Sequence, residues 1–301
     1  MRETLTRSAL ALAALCAACS GGGSGGDAGA DADTDADTDA DSDADADSDS
    51  DADTDADGGA GDVWQAAPGT TWQWQLTETI DTSIEVQMYD IDLFEAPQET
   101  IDALHAAGRA VICYFSAGSR EDWRPDAAEF PTEDVGSALD GWPGESWIDV
   151  TSDAIRAIMT ARLDLAAGKG CDGVEPDNVD GYANDNGLGL TAADQLDYDA
   201  FLADEAHARG LSVGLKNDLD QVGDLEPLFD WALNEECLSY DECDLLAPFL
   251  AAGKAVFHVE YVDAEADGPA KIDEICGDPA IAGFSTLVKT WDLNAFRLAC
   301  E

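Results

Sequence analysis

From residue 63 onward, short apolar runs rich in β-branched and aromatic residues alternate with longer stretches whose apolar positions recur at helical spacing. Eight runs read as strands: 72–76, 86–92, 110–118, 173–177, 211–217, 231–235, 255–261 and 284–291. Helical patterns lie between them at 98–107, 153–167, 192–209 and 245–252. Three of these stop at Gly108, Gly210 or Gly253, where the left-handed residue that closes a helix needs no Cβ. Repeated strand and helix predict an α/β fold, a (β/α)8 TIM barrel. The long connection 119–150 holds a further extended run at 145–150, which leaves the strand count open by one.

Strands two to eight begin apolar and finish polar. Their ends carry Asp90 and Asp92, Tyr114, Glu175 and Asp177, Lys216 with Asn217 and Asp218, Glu235, Glu260 with Tyr261, and Lys289 with Trp291. In a barrel all these ends open on one face, the face that carries active sites.

The pattern before residue 63 is different. Arg2 and Arg7 precede an apolar run at 9–18 that is too short to span a bilayer and has the form of a secretory signal. It ends in Cys16-Ala17-Ala18-Cys19, which resembles a bacterial lipobox and implies lipidation at Cys19. Residues 20–62 run from Ser/Gly into Asp-X alternation with no side chain able to build a core, so they read as a disordered, self-repelling linker. They lack the glycine turns and apolar anchors of calcium loops. The expected organisation is a signal peptide at 1–19, a linker at 20–62 and a barrel at 63–301, exported and membrane-associated only through Cys19.

The whole chain of 301 residues carries 65 acids against 14 bases. Sixteen aspartates lie in 27–62, and 1–26 holds Arg2, Arg7 and Glu3, which leaves 48 acids and 12 bases, a formal −36, in 63–301. Such a surface repels nucleic acid and anionic lipid and attracts cations. His105, His207 and His258 are scattered without metal-ligand spacing. There is no Gly-x-Ser-x-Gly, no Gly-x-Gly-x-x-Gly and no Walker loop, so no cofactor is expected. Carboxylates at strand ends, with Trp74, Tyr114, Trp123, Tyr261 and Trp291 as candidate platforms, match the needs of glycoside hydrolysis.

The blocks Trp72-Gln-Trp-Gln-Leu76, Tyr89-Asp-Ile-Asp-Leu93, Cys113-Tyr-Phe-Ser-Ala-Gly-Ser119, Trp123-Arg-Pro-Asp126, Gly170 to Asp180, Leu215-Lys-Asn-Asp218, Asn234-Glu-Glu-Cys237 and Val259-Glu-Tyr261 follow in order. Through them the chain resembles glycoside hydrolase family 114, the endo-α-1,4-polygalactosaminidase-like barrels. The resemblance implies hydrolysis within α-1,4-linked galactosamine polymers, whose amines are cationic, and puts the essential acids at Asp177 and Glu235. Asp177 is assigned as nucleophile or base, and Glu235, which reaches further, as general acid. Glu175 shares its pleat parity with Asp177 and reads as an orienting partner of Lys216, whereas Glu236 points away from Glu235. Subsite candidates are Asp90, Asp92, Tyr114, Asp180, Asn217, Asp218, Glu260, Tyr261 and Trp291. Retention or inversion depends on a carboxylate separation that sequence does not give.

Apart from Cys16 and Cys19, six cysteines remain, as suits an oxidising compartment. Of fifteen pairings, the expected one joins Cys237 to Cys243, Cys276 to Cys300 and Cys113 to Cys171. The chain is expected to be a monomer. Two other readings stand beside the hydrolase: a non-catalytic glycan-binding lipoprotein, and the same barrel acting on a different polysaccharide. The presence of both carboxylates argues for the enzyme.

Overall fold

The computed structural model describes residues 63–300. The export signal, Cys19 and the Asp-rich linker lie outside the described residues. The eight expected strands all form: β1 (Trp72–Gln75), β2 (Met88–Asp92), β3 (Ala110–Ser116), β7 (Gly173–Asp177), β8 (Ser212–Lys216), β9 (Trp231–Glu235), β10 (Val256–Val262) and β11 (Ser285–Thr290). They pair in parallel in that order, and the curled sheet is that of a (β/α)8 barrel. The connection 119–150 folds as a separate antiparallel sheet of β4 (Ser119–Glu121), β5 (Val135–Ala138) and β6 (Glu145–Ile148), with β6 in the centre.

Alternate residues of the barrel strands point inward. Trp72, Trp74, Met88, Ile112, Trp231, Leu233, Phe257, Val259 and Leu287 fill the interior. Trp72 lies against Phe257 with centroids 4.8 Å apart, and Trp231 meets Phe257 edge-on at 5.5 Å. Gly214 makes room for them, since a Cβ there would come within 2.1 Å of the Trp231 ring. Large rings below leave the polar strand ends above as the open floor of a cleft.

The outer layer consists of α1 (Gln98–Ala106), α2 (Asp153–Lys169), α3 (Ala192–His207), α4 (Val222–Leu225), α5 (Cys237–Tyr240), α6 (Ala247–Ala251) and α7 (Gly268–Ile275). Ser152 caps α2, and Thr191 with Asp194 forms a capping box on α3. Leu163, Tyr198 and Leu202 of these helices pack against Val174 and Val213 of the strands in one apolar shell.

Among the described residues no ladder joins β1 to β11. Residues 293–297 fill that seam instead: Leu76 N donates to Leu293 O at 2.9 Å, Gln73 Nε2 to Ala295 O at 3.2 Å, and Arg297 Nε to Trp72 O at 2.8 Å. A ninth strand, β12 (Leu298–Ala299), then runs antiparallel to β11. The three disulfides are Cys113–Cys171, Cys237–Cys243 and Cys276–Cys300, the expected pairing, and the last fastens the seam segment to α7's end. No described helix is long and apolar enough to cross a membrane.

Candidate active site

The inward parity that puts Trp231 and Leu233 in the core brings Glu235 to the top of β9, and the same alternation aligns Glu175 with Asp177 on β7. Between them, from the end of β8, comes Lys216. Its stem is buried and its Nζ lies 4.7 Å from the Trp74 ring centroid. The ammonium sits 3.0 Å from Glu175 Oε1, 3.0 Å from Asp177 Oδ1 and 3.2 Å from Glu235 Oε2. The Asp177 and Glu235 oxygens therefore lie no further apart than those two contact lengths together, 6.2 Å. Burial works against the charge on Lys216, but Asp177, Glu175 and Glu235 outweigh it and hold the ammonium well above the ordinary lysine range.

Each carboxylate has its own set of donors. Asp177 accepts from the Tyr114 hydroxyl at 3.0 Å and from the Asn178 backbone at 2.8 Å. Glu235 accepts from the Tyr261 hydroxyl and from Asn217 Nδ2, the latter at 3.2 Å. Asn178, Asn217, Asp218 and Glu236 follow directly on the ends of β7, β8 and β9 and have φ of 62°, 50°, 42° and 62°. Left-handed backbone at non-glycine residues is strained and concentrates where side chains must be aimed.

Beneath the pair, Glu175 is fully buried and accepts from Trp74 Nε1 at 3.0 Å; burial pushes it up to about 7. Asp90 is buried beside it, and neither of its oxygens has a donor among the described residues. Burial and the neighbouring Glu175 raise its carboxyl well above the usual range.

The pair opens into a cleft of about 1150 Å³. Asp92 lines it, clamped by Arg124 through two hydrogen bonds of 3.0 and 2.6 Å, with Glu121 on the same guanidinium at 2.7 Å. Asp180 lines it too, raised to about 6 by burial and then by Asp177. Glu145, on β6, is raised to about 7, chiefly by burial. Trp291 stacks on Tyr261 at 4.0 Å between centroids and remains 39% exposed. The loops of the separate sheet add Trp123 and Trp142 to the lining.

The structure thus brings Asp92, Tyr114, Asp177, Asp180, Lys216, Asn217, Glu235, Tyr261 and Trp291 to one cleft. Asp218 faces a neighbouring pocket, bonded to the Tyr182 hydroxyl at 3.1 Å and raised to about 7 by burial. Two expected subsite residues lie elsewhere. Asp90 is under the floor beside Glu175, which pairs with Lys216 as its parity implied. Glu260 faces the helix layer, because Val259 and Tyr261 take the inward positions; it binds Ser239 Oγ at 2.7 Å and Lys271 at 2.9 Å. Burial opposes its charge, but His258, Ser239 and Lys271 hold it down at about 2. Glu260 fastens β10 to α5 and α7 and does not touch the cleft. Glu145, Trp142 and Asn178 line the cleft without having been singled out from sequence; only the position of Asn178 directly after Asp177 marked it. Cys237, Cys243 and His258 cluster within 4.8 Å, but both sulfurs are held in a disulfide.

The model of glycoside-hydrolase family GH114 matches residues 54–301. Among solved structures, Ega3 of Aspergillus fumigatus in complex with galactosamine is 48% identical, with a TM-score of 0.76 over 79% of this chain and 97% of that one. The glycoside hydrolase domain of PelA from Pseudomonas aeruginosa is 13% identical, with a TM-score of 0.61 over 76% and 98%, and shares the fold. No curated protein matches the chain.

Proposed function

Because the chain belongs to glycoside-hydrolase family GH114, we propose that this glycoside hydrolase cleaves within α-1,4-linked, galactosamine-containing polysaccharide, by a retaining mechanism that uses Asp177 and Glu235. The observation that carries the mechanism is the Lys216 bridge, which limits the nearest oxygens of the pair to 6.2 Å. Inverting enzymes need about 6.5–9.5 Å to seat a water, whereas retaining pairs lie about 5–5.5 Å apart. Asp177, fixed by a backbone N–H, Tyr114 and Lys216, attacks the anomeric carbon. Glu235 gives its proton to the leaving oxygen, then takes one from the water that releases the glycosyl-enzyme. Lys216 balances the charge of the Asp177 nucleophile and orients both side chains.

The polymer follows from charge and walls. Cleft carboxylates meet ammonium groups, and Trp123, Trp142 and Trp291 offer flat surfaces to sugar rings. Ega3, the 48% identical relative, was solved with galactosamine, which supports an amino sugar here. The apolar segment at 9–18 and Cys19 support export with a lipid anchor, the Asp-rich linker acting as a stalk and the barrel working as a monomer.

The test is release of reducing ends by the disulfide-oxidised protein from deacetylated α-1,4-galactosaminogalactan. Asp177→Asn and Glu235→Gln should each lower kcat by about 10²–10⁴ while the variants stay folded. Full activity in either variant removes that residue from the chemistry, and an inert parent that still binds the polymer makes the protein a glycan-binding module.

A further inference from the structure

Beyond Glu235 the cleft continues into a second pocket of about 400 Å³. The two share Trp142, Asp180, Asn217, Glu235 and Trp291, so a chain lying across the catalytic pair runs directly into it. Its lining holds six carboxylates and no Lys, Arg or His. Of the six, Asp180 and Glu235 also line the cleft, and Asp218 is bonded to the Tyr182 hydroxyl. The others, Asp220, Glu236 and Glu242, accept no side-chain hydrogen bond and form no ion pair among the described residues.

Carboxylates left without partners are ordinary on an exposed acidic surface, but two further features set these apart. The first is where the aromatic surface lies. Of the seven large hydrophobic side chains exposed among the described residues, five line the cleft or this pocket: Trp123, Trp142, Tyr240, Leu245 and Trp291. Tyr240, which lines only the second pocket, is 68% exposed. Exposed apolar surface gathered in a concavity marks a binding site. The second is like charge close by. Burial, then Glu260 and Glu235, raises the Glu236 carboxyl against the pull of Lys271, and burial, then Asp220, raises that of Glu242. A cation beside either carboxyl relieves its repulsion, while a neutral group does not.

We propose that this pocket is a subsite for a further sugar of the same chain, that Asp220, Glu236 and Glu242 select a free amine there, and that Tyr240 provides its stacking face. The inference rests on the galactosamine-polymer reading above and adds to it a position-specific demand. N-acetylation of the unit in this pocket removes the cation its walls are built for, so cleavage sites are chosen by the deacetylation of that unit.

The experiment compares the full-length parent with an Asp220→Asn/Glu236→Gln/Glu242→Gln triple variant, each single variant and Tyr240→Ala, on fully deacetylated polymer and on the same polymer chemically re-N-acetylated in part. Exposed charge contacts correspond to about two- to fivefold each, so the triple variant should lose about tenfold or more in kcat/KM on the deacetylated polymer. The loss should appear in KM, and Tyr240→Ala should show a similar KM rise. The triple variant should also respond less steeply to salt, and its preference for deacetylated over re-acetylated polymer should shrink. Thermal unfolding checks that the variants are folded. An unchanged KM and unchanged preference in an active triple variant overturn the subsite while leaving the hydrolase intact. A parent that cleaves neither polymer overturns the substrate reading itself and the subsite with it.

Discussion

Replacing Lys216 by Met keeps the length of the side chain and removes the one cation among Asp90, Glu175, Asp177 and Glu235. The ammonium is 2% exposed and has three carboxylate oxygens within 3.2 Å. Breaking a buried ion pair by removing one partner destabilises by about 3–5 kcal/mol, because the remaining charges lose their compensation. Protonation of Glu175 limits the loss. Its folded pKa, about 7, already lies above the ordinary glutamate value of 4.5, so binding that proton stabilises the fold at low pH and the contribution fades as pH rises to about 7. Without Lys216 the proton is held to higher pH. Below pH 7 the variant's deficit should therefore be constant, and above pH 7 it should grow by about 1.4 kcal/mol per pH unit while the variant keeps a proton the parent has released. Urea unfolding followed by tryptophan fluorescence at pH 5.5, 7.0 and 8.5, with the disulfides intact, measures this. A deficit below about 1 kcal/mol, or one that shrinks as pH rises, refutes the assignment of Lys216 as the cation that holds the floor together.

Other consequences are more local. Trp291→Ala removes the exposed partner of the 4.0 Å stack on Tyr261 and should raise KM for polymer about two- to tenfold, with steady-state kinetics as the readout. With Asp180 raised to about 6 and Glu145 to about 7, both gain charge between pH 5 and 7.5, so KM for a cationic polymer should fall across that window; a flat KM profile contradicts their role in holding amines. Cys276→Ser with Cys300→Ser opens a link with a sequence separation of 24 and should lower stability by about 3.5 kcal/mol in a denaturant titration. Opening Cys237–Cys243, with a separation of 6, should lower it by about 2.4 kcal/mol.

The eight barrel strands were legible because each is a short apolar run that turns polar at one end, and that polarity follows from the opening of every parallel strand on the same face. Parity within strands carried further at Glu175, which it aligned with Asp177, but not at Glu236, whose left-handed φ of 62° lies past the strand's end and which lines a pocket together with Glu235. Parity gave no help at Glu260. The run Val256-Phe257-His258-Val259 is buried on both faces, so nothing in its pattern marks Glu260 as outward and Tyr261 as inward. The separate sheet was legible only in β6, within the extended run at 145–150, and for a different reason. Its strands are three or four residues long, and β4, Ser119-Arg120-Glu121, has no apolar side chain, so its order comes from contacts such as Ser119 Oγ to Glu145 at 2.7 Å. The seam also rests on long-range contacts, between 293–297 and β1, that no local period encodes. Trp142 and Glu145 entered the cleft through that sheet and its loop, whose place over the barrel no local pattern encodes.

The most direct test of the central claim is proton NMR of deacetylated α-1,4-galactosamine polymer during the first minutes of cleavage, before mutarotation mixes the anomers. A pair held within 6.2 Å predicts new reducing ends that appear first in the α form. New ends that appear first in the β form contradict the retaining pair, and the absence of new ends from a folded, oxidised protein contradicts the substrate.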